Sequence, residues 1–200
     1  YALLNGIEAN SLMNYTVEAD ITAGTANDRA CYVAAYGKTT DDKQAGSAYQ
    51  FVCLGKSKKF MLRRTGSTAS GSKEDLVTNV NIADFFSNYI AGDTLRISIT
   101  AVTYVDYVNL ICKATYGGET KEIINYKDTS DKRYTCGLPG FGLQQENSSL
   151  DNVKVAKVNV VTGSVLYEDD FATDAKYTAA LGDTSWQKFA QPIWDNGKLI

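Results

Sequence analysis

Thr94 to Val102 reads TLRISITAV, with Leu95, Ile97 and Ile99 alternating against Arg96, Ser98 and Thr100. A repeat of two is the side-chain period of a strand with one buried and one wet face, and an α-helix, with its 3.6-residue period, does not match it. The same period recurs at Met13 to Thr22, where Tyr15, Val17, Ala19 and Ile21 alternate with Thr16, Glu18, Asp20 and Thr22, and at Leu150 to Val155, where Val153 and Val155 flank Lys154. Tyr1 to Leu4 reads as a short apolar strand. Arg29 to Tyr36 and Ala48 to Leu54 frame a polar loop as a hairpin, and Lys59 to Arg64 closes at Gly66. Val108 to Tyr116 meets Lys121 to Tyr126 through Gly117-Gly118, a hairpin signal. Ile82 to Ile90, ended by Gly92, is the one plausible helical turn, Ser67 to Glu74 reads as a Ser/Gly loop, and Gly137, Pro139, Gly140 and Gly142 punctuate a turn. No internal repeat or domain boundary interrupts the series, so an all-β, two-sheet antiparallel sandwich is expected.

Composition narrows what such a sandwich does. The chain has 200 residues, enough for one sandwich with a sizeable core, and 44% hydrophobic with 22% charged residues is a globular balance. A net charge of −3 without clustered Lys and Arg leaves no electrostatic footprint for nucleic acid. No apolar run approaches the roughly 18 residues of a membrane span, so no membrane insertion is expected. No signal peptide is expected within this sequence, and an opening on Tyr rather than Met is expected of a mature or excised segment. The absence of histidine removes the commonest general base and a common transition-metal ligand. Without it, and without a G-x-S-x-G elbow, Ser- or Cys-based nucleophilic catalysis lacks its base. Cys31, Cys53, Cys112 and Cys136 include no C-x-x-C pair. The hairpin brings Cys31 roughly opposite Cys53, so a bridge there with Cys112–Cys136 left over is one reading and four buried thiols the other; Cys112 fits the second, being in phase with Val108, Leu110 and Ala114.

Gly137-Leu-Pro-Gly140-Phe-Gly142 followed by Ser149-Leu150-Asp151-Asn152-Val153-Lys154-Val155 resembles the closing strands of a laminin-G or concanavalin-like jelly-roll domain. The resemblance covers most of the chain and implies a jelly roll. The C-terminal residues Val165 to Phe171 (VLYEDDF), Trp186 and Trp194-Asp195-Asn196-Gly197-Lys198-Leu199 resemble instead the opening of such a domain. Residues 1–165 then form the jelly-roll body, and 166–200 supply strands that complete the same fold. Three arrangements would give this order: one period of a tandem array, a circular permutant, or a tail that leaves its own subunit and completes the next one head to tail. Phe171, Trp186, Trp194 and Leu199 are the assembly residues under that last arrangement.

Candidate chemistry falls in three places. Glu18 and Asp20 lie on one strand face, roughly 7 Å apart by strand rise. The pair is similar to the start of the E-x-D-x-x-E strand of laminarinase-like glycoside hydrolases, but the third position is Ala23, which lacks the acid/base carboxylate; a solvated strand face is the alternative. If Val17, Val33, Phe51 and Leu62 take the core, then Glu18, Asp20, Tyr32, Tyr36, Gln50 and Arg63 are expected to project together from the opposite face, where rings and hydrogen-bonding groups suit a polysaccharide. An ordinary solvated or subunit-packing face is the other reading. No cofactor is expected except a structural calcium, which the resemblance would place at Asp151 with Glu168, Asp169 and Asp170; turn or capping roles are the alternative for Asp169 and Asp170. The expectation is a non-catalytic structural or adhesive module, extracellular or at the cell surface, whose partners are copies of itself and, as an alternative, polysaccharide.

Overall fold

The computed structural model describes residues 2–4, 12–38, 47–66, 72–144, 146–158, 164–169, 186–188, 194–195 and 198–199, giving strand pairing alone at 2–4 and from 164 onward. Strands follow one another almost without helix: β1 (Ala2–Leu4), β2 (Tyr15–Thr22), β3 (Cys31–Gly37), β4 (Ala48–Leu54), β5 (Lys59–Thr65) and β6 (Lys73–Asn81), then β7 (Thr94–Thr103), β8 (Val108–Tyr116), β9 (Glu119–Asp128), β10 (Leu138–Leu143), β11 (Ser149–Lys157), β12 (Ser164–Asp169), β13 (Trp186–Lys188), β14 (Trp194–Asp195) and β15 (Lys198–Leu199). Among the described residues one 3-10 turn, Ile82–Asp84, sits where helix was expected over Ile82 to Ile90.

Two antiparallel sheets form a jelly-roll sandwich. The seven-stranded sheet runs β13-β1-β10-β3-β4-β5-β6, and the eight-stranded sheet runs β14-β15-β11-β2-β7-β8-β9 with β12 also paired to β11. The chain crosses between sheets after β1, β2, β6, β9, β10, β12 and β13, so consecutive segments line opposite sides of one core. Alternation decides what enters that core: Tyr15, Val17, Ala19 and Ile21 from β2 and Leu95, Ile97, Ile99 and Ala101 from β7 face Val33, Phe51, Phe60 and Leu62 from the other sheet, all buried. Leu110, Cys112 and Ala114 continue the same layer, and Cys31 lies directly opposite Cys53 in the β3–β4 ladder. All four cysteines are thiols in this structure, with Cys31, Cys53 and Cys112 buried as small apolar groups.

Two segments depart from the sequence expectation. Leu138–Leu143, read as a turn from its Gly and Pro, is a buried strand between β1 and β3. Pro139 is tolerated because the ladder shifts register between Leu138 and Gly140, and Gly142 is required because a Cβ there would overlap the ring of Tyr32 on β3. Lys73–Asn81, whose first residues were read into the Ser/Gly loop, is the edge strand β6. Its charged start, KED, is what an unpaired edge carries to discourage pairing with other chains, and it masks the strand signal.

Candidate functional site

The outer face of the eight-stranded sheet carries the most organised polar constellation. On β2 and β7 the register sets Glu18 opposite Ser98 and Asp20 opposite Arg96. The Arg96 guanidinium bridges the two carboxylates, donating from Nη1 to Asp20 Oδ1 at 3.0 Å and from Nη2 to Glu18 Oε1 at 2.9 Å. Asn152 on β11 reaches across, its Nδ2 donating to Asp20 Oδ2 at 2.7 Å. Asn152 stands at φ 50°, and the β11–β2 ladder shifts register between Asp151 and Lys154, so a bulge aims this amide at its neighbour strand. Burial alone would lower the Arg96 pKa, but the hydrogen bond and charge of Glu18 and the nearby Asp20 outweigh it and hold the guanidinium firmly charged. Thr16 and Thr100 hydroxyls share a 2.7 Å hydrogen bond beside the cluster, as do Thr22 and Thr94. Chemically this face offers acceptor oxygens and hydroxyls to a polar ligand, with its charge largely balanced from within.

The expected six-residue glycan face is not assembled, and the correction has two causes. First, Glu18 and Asp20 belong to the eight-stranded sheet while Tyr32, Gln50 and Arg63 belong to the seven-stranded one, so their outer faces point away from each other across the core. Second, Tyr36 turns inward. At φ 56° it breaks the alternation of β3, enters the core beside Tyr15 and Tyr49, and donates its hydroxyl to Ala101 O at 3.1 Å. Tyr32 does lie outward, but buried, in a second small cluster with Ala34, Val52 and Met61. Gln50 is buried as well, and Arg63 is paired with Asp75 at 2.8 Å.

For the calcium set, Asp151 is directly opposite Asp20 on β2, and its Oδ1 accepts from Asn152 N at 2.8 Å. The β11–β12 register sets Glu168 opposite Lys154 and Asp169 opposite Val153, on the strand bordering Asp151; Asp170 lies outside the described residues. Among the described residues no group of three or more His, Cys, Asp or Glu is placed to hold a metal ion. Of the assembly residues, Trp186 pairs with Leu4 in β1, Leu199 pairs with Leu150 in β11 and with Trp194 in β14, and Phe171 lies outside the described residues.

Arg96 and Asn152 were missed in the sequence. Arg96 was visible as the polar position of TLRISITAV, but only the β2–β7 register brings it to Glu18 and Asp20. Asn152 needed the bulge, which no alternation rule foretells.

No protein-family model matches the sequence, and no curated protein does. Among solved structures, the chain is similar to tailspike protein 2 of bacteriophage CBA120, in its enzymatically active domain, with 16% identity over 80% of this chain and 24% of that one and a TM-score of 0.45. It is also similar to the native heptameric SAP-like pentraxin of Limulus polyphemus, with 10% identity over 77% of this chain and 68% of that one and a TM-score of 0.36. The chain thus spans about a quarter of the tailspike chain it matches. The two-sheet sandwich rests on the strand order itself. Among the described residues no helix is long and apolar enough to cross a membrane.

Proposed function

We propose that this chain is a non-catalytic structural or adhesive module of the laminin-G or concanavalin-like kind, working outside the cell, that assembles head to tail through its C-terminal strands. One observation carries the reading. The last segments add to both sheets at once, β13 beside β1 in one and β12 and β15 beside β11 in the other. The pairings of β13 and β15 are short, three residue pairs for β13 and one for β15 against β11. The same edges accept identical strands from a neighbouring copy with identical hydrogen bonds, so cis and trans closure differ mainly in effective concentration. A contact of that kind does not close on itself and propagates as a fibre or array. The non-catalytic part draws support from Arg96, which engages both Glu18 and Asp20 in ion pairs, and from Ala23 at the third carboxylate position.

Light scattering over a concentration series, with negative-stain images of the same samples, tests the assembly. The expected result is a mass that climbs with concentration, rods in the images, and loss of both when residues 166–200 are deleted. A single-chain mass at every concentration would overturn it.

A further inference from the structure

The hairpin between β7 and β8 turns through four residues, Tyr104-Val105-Asp106-Tyr107, closed by Tyr104 N donating to Tyr107 O at 2.9 Å. Its two tyrosines are stacked, centroids 4.6 Å apart and planes within 19°. Lys127 places its ammonium 5.0 Å from the Tyr107 ring centroid. One face of Tyr107 is already taken by Tyr104, so the ammonium occupies the other. The stack is therefore finished at the Tyr107 end and open at the Tyr104 end, where Tyr104 is 48% exposed beside Val105 at 89%. The tip is also held from below: Arg133 donates from Nη2 to Val105 O at 3.3 Å and from Nη1 to Ser130 O at 3.0 Å, tying the hairpin to the loop after β9. Exposed aromatic rings usually cost apolar surface and gain nothing. Here the Tyr107 stack fixes the Tyr104 ring directly, while Lys127 on Tyr107 and Arg133 on the Val105 carbonyl steady the tip around it.

We propose that this hairpin tip is a carbohydrate-binding site in which the open face of Tyr104 stacks on the CH-rich face of a neutral pyranose. A fixed flat ring matches the apolar face of a sugar, and little side-chain freedom remains to be lost when the sugar docks. The Asp106 carboxylate, exposed in the same four-residue turn, accepts hydrogen bonds from the hydroxyls of a neutral sugar. The same Asp106 disfavours the other occupant an exposed Tyr-Val tip suggests, an anionic membrane, because a carboxylate would enter the headgroup layer with it. The site lies on a different element from Glu18 and Asp20 and from the C-terminal strands, so it stands apart from the assembly reading.

Affinity electrophoresis of the full chain in gels containing soluble β-glucan, mannan or galactan tests it, with the deletion of residues 166–200 run alongside so that polymerisation and binding are read separately. The expected result is retardation in at least one gel, weakened roughly tenfold by Tyr104→Ala, kept by Tyr104→Phe and unchanged by Val105→Asp. Co-sedimentation with phosphatidylserine vesicles that Val105→Asp abolishes would overturn the proposal in favour of a membrane site. Retardation in none of the gels, or retardation indifferent to Tyr104→Ala while circular dichroism shows the variant folded, would also overturn it.

Discussion

Arg64 and Arg96 have the same chemical company, two carboxylates each, in opposite surroundings. Arg96 lies a third exposed on one sheet, bonded to Glu18 and Asp20 of the neighbouring strand. Arg64 has 2% of its side chain exposed and pairs with Asp128, equally buried, at 2.6 Å, while Glu74 at the rim completes the set at 2.7 Å. Asp128 also accepts from the Tyr49 hydroxyl at 2.6 Å and from Ser130 N and Oγ at 3.0 and 2.7 Å. Arg64 and Tyr49 belong to the seven-stranded sheet and Asp128 to the eight-stranded one. The buried set is therefore a clasp between sheets, whereas the exposed set decorates one. Coulomb attraction per pair is stronger where water is absent, but so is the penalty for a charge left alone, and the two arginines should answer mutation very differently.

The largest effect is expected at the clasp. Asp128→Ala leaves the Arg64 charge with Glu74 as its one carboxylate and the Ser130 hydroxyl beside it, and takes away the acceptor of the Tyr49 hydroxyl, for a loss of about 3–5 kcal/mol read as a shift in urea midpoint at constant slope. A loss below about 1 kcal/mol would mean that water reaches the clasp and the contrast with Arg96 is false. The same pair gives a pH signature. Burial alone would raise the Asp128 pKa, but the Tyr49 and Ser130 hydrogen bonds and the Arg64 charge outweigh it and hold the carboxyl below its ordinary 3.8. A carboxyl depressed on folding contributes stability that is complete above its unfolded pKa and disappears as pH falls through the folded one. The stability gap between wild type and Asp128→Asn should therefore be constant at neutral pH and narrow below about pH 4. A gap unchanged down to pH 2 would show that Asp128 is not the titrating group. Tyr36→Phe comes next: it removes the hydroxyl that donates to Ala101 O and contacts Thr103 Oγ1 at 2.9 Å, for about 1–3 kcal/mol by thermal unfolding.

Both charge sets were partly written in the alternation. In KFMLRRT, Phe60, Leu62 and Arg64 share one phase, so Arg64 continues the buried stripe, as Asp128 does after Ile124 and Tyr126 on β9. A charged residue in phase with core positions signals a buried ion, and the partner must then be found in another strand with the same anomaly. What the sequence hid were places where the backbone changes phase. Tyr36 at φ 56° and Asn152 at φ 50° each reverse the side that alternation assigns, the first emptying the supposed glycan face and the second building the polar cluster around Asp20. The β10 strand was hidden by Gly140 and Gly142, the second small because the Tyr32 ring lies over it, and small residues read as turn. The Tyr104–Tyr107 stack depends on a four-residue turn whose sequence has no Gly or Pro to announce it.

The smallest effect is expected at the exposed arginine. Arg96→Gln keeps a donor towards the carboxylates and removes a partly solvated charge, so its cost should be within about 1 kcal/mol and should shrink further as salt is raised, since screening reaches a solvated pair and not a dry one. Arg64→Gln, measured in the same salt series, should keep its full cost. If both variants lose the same amount at low and high salt, exposure is not what separates the two arginines, and the bulge at Asn152, which clamps Asp20 from the far side, would have to be stiffening the Arg96 set into a second buried-like lock. Adding Asn152→Ala to Arg96→Gln decides that point: independent sites give costs that add, whereas a shared lock gives a coupling of about 0.5 kcal/mol or more.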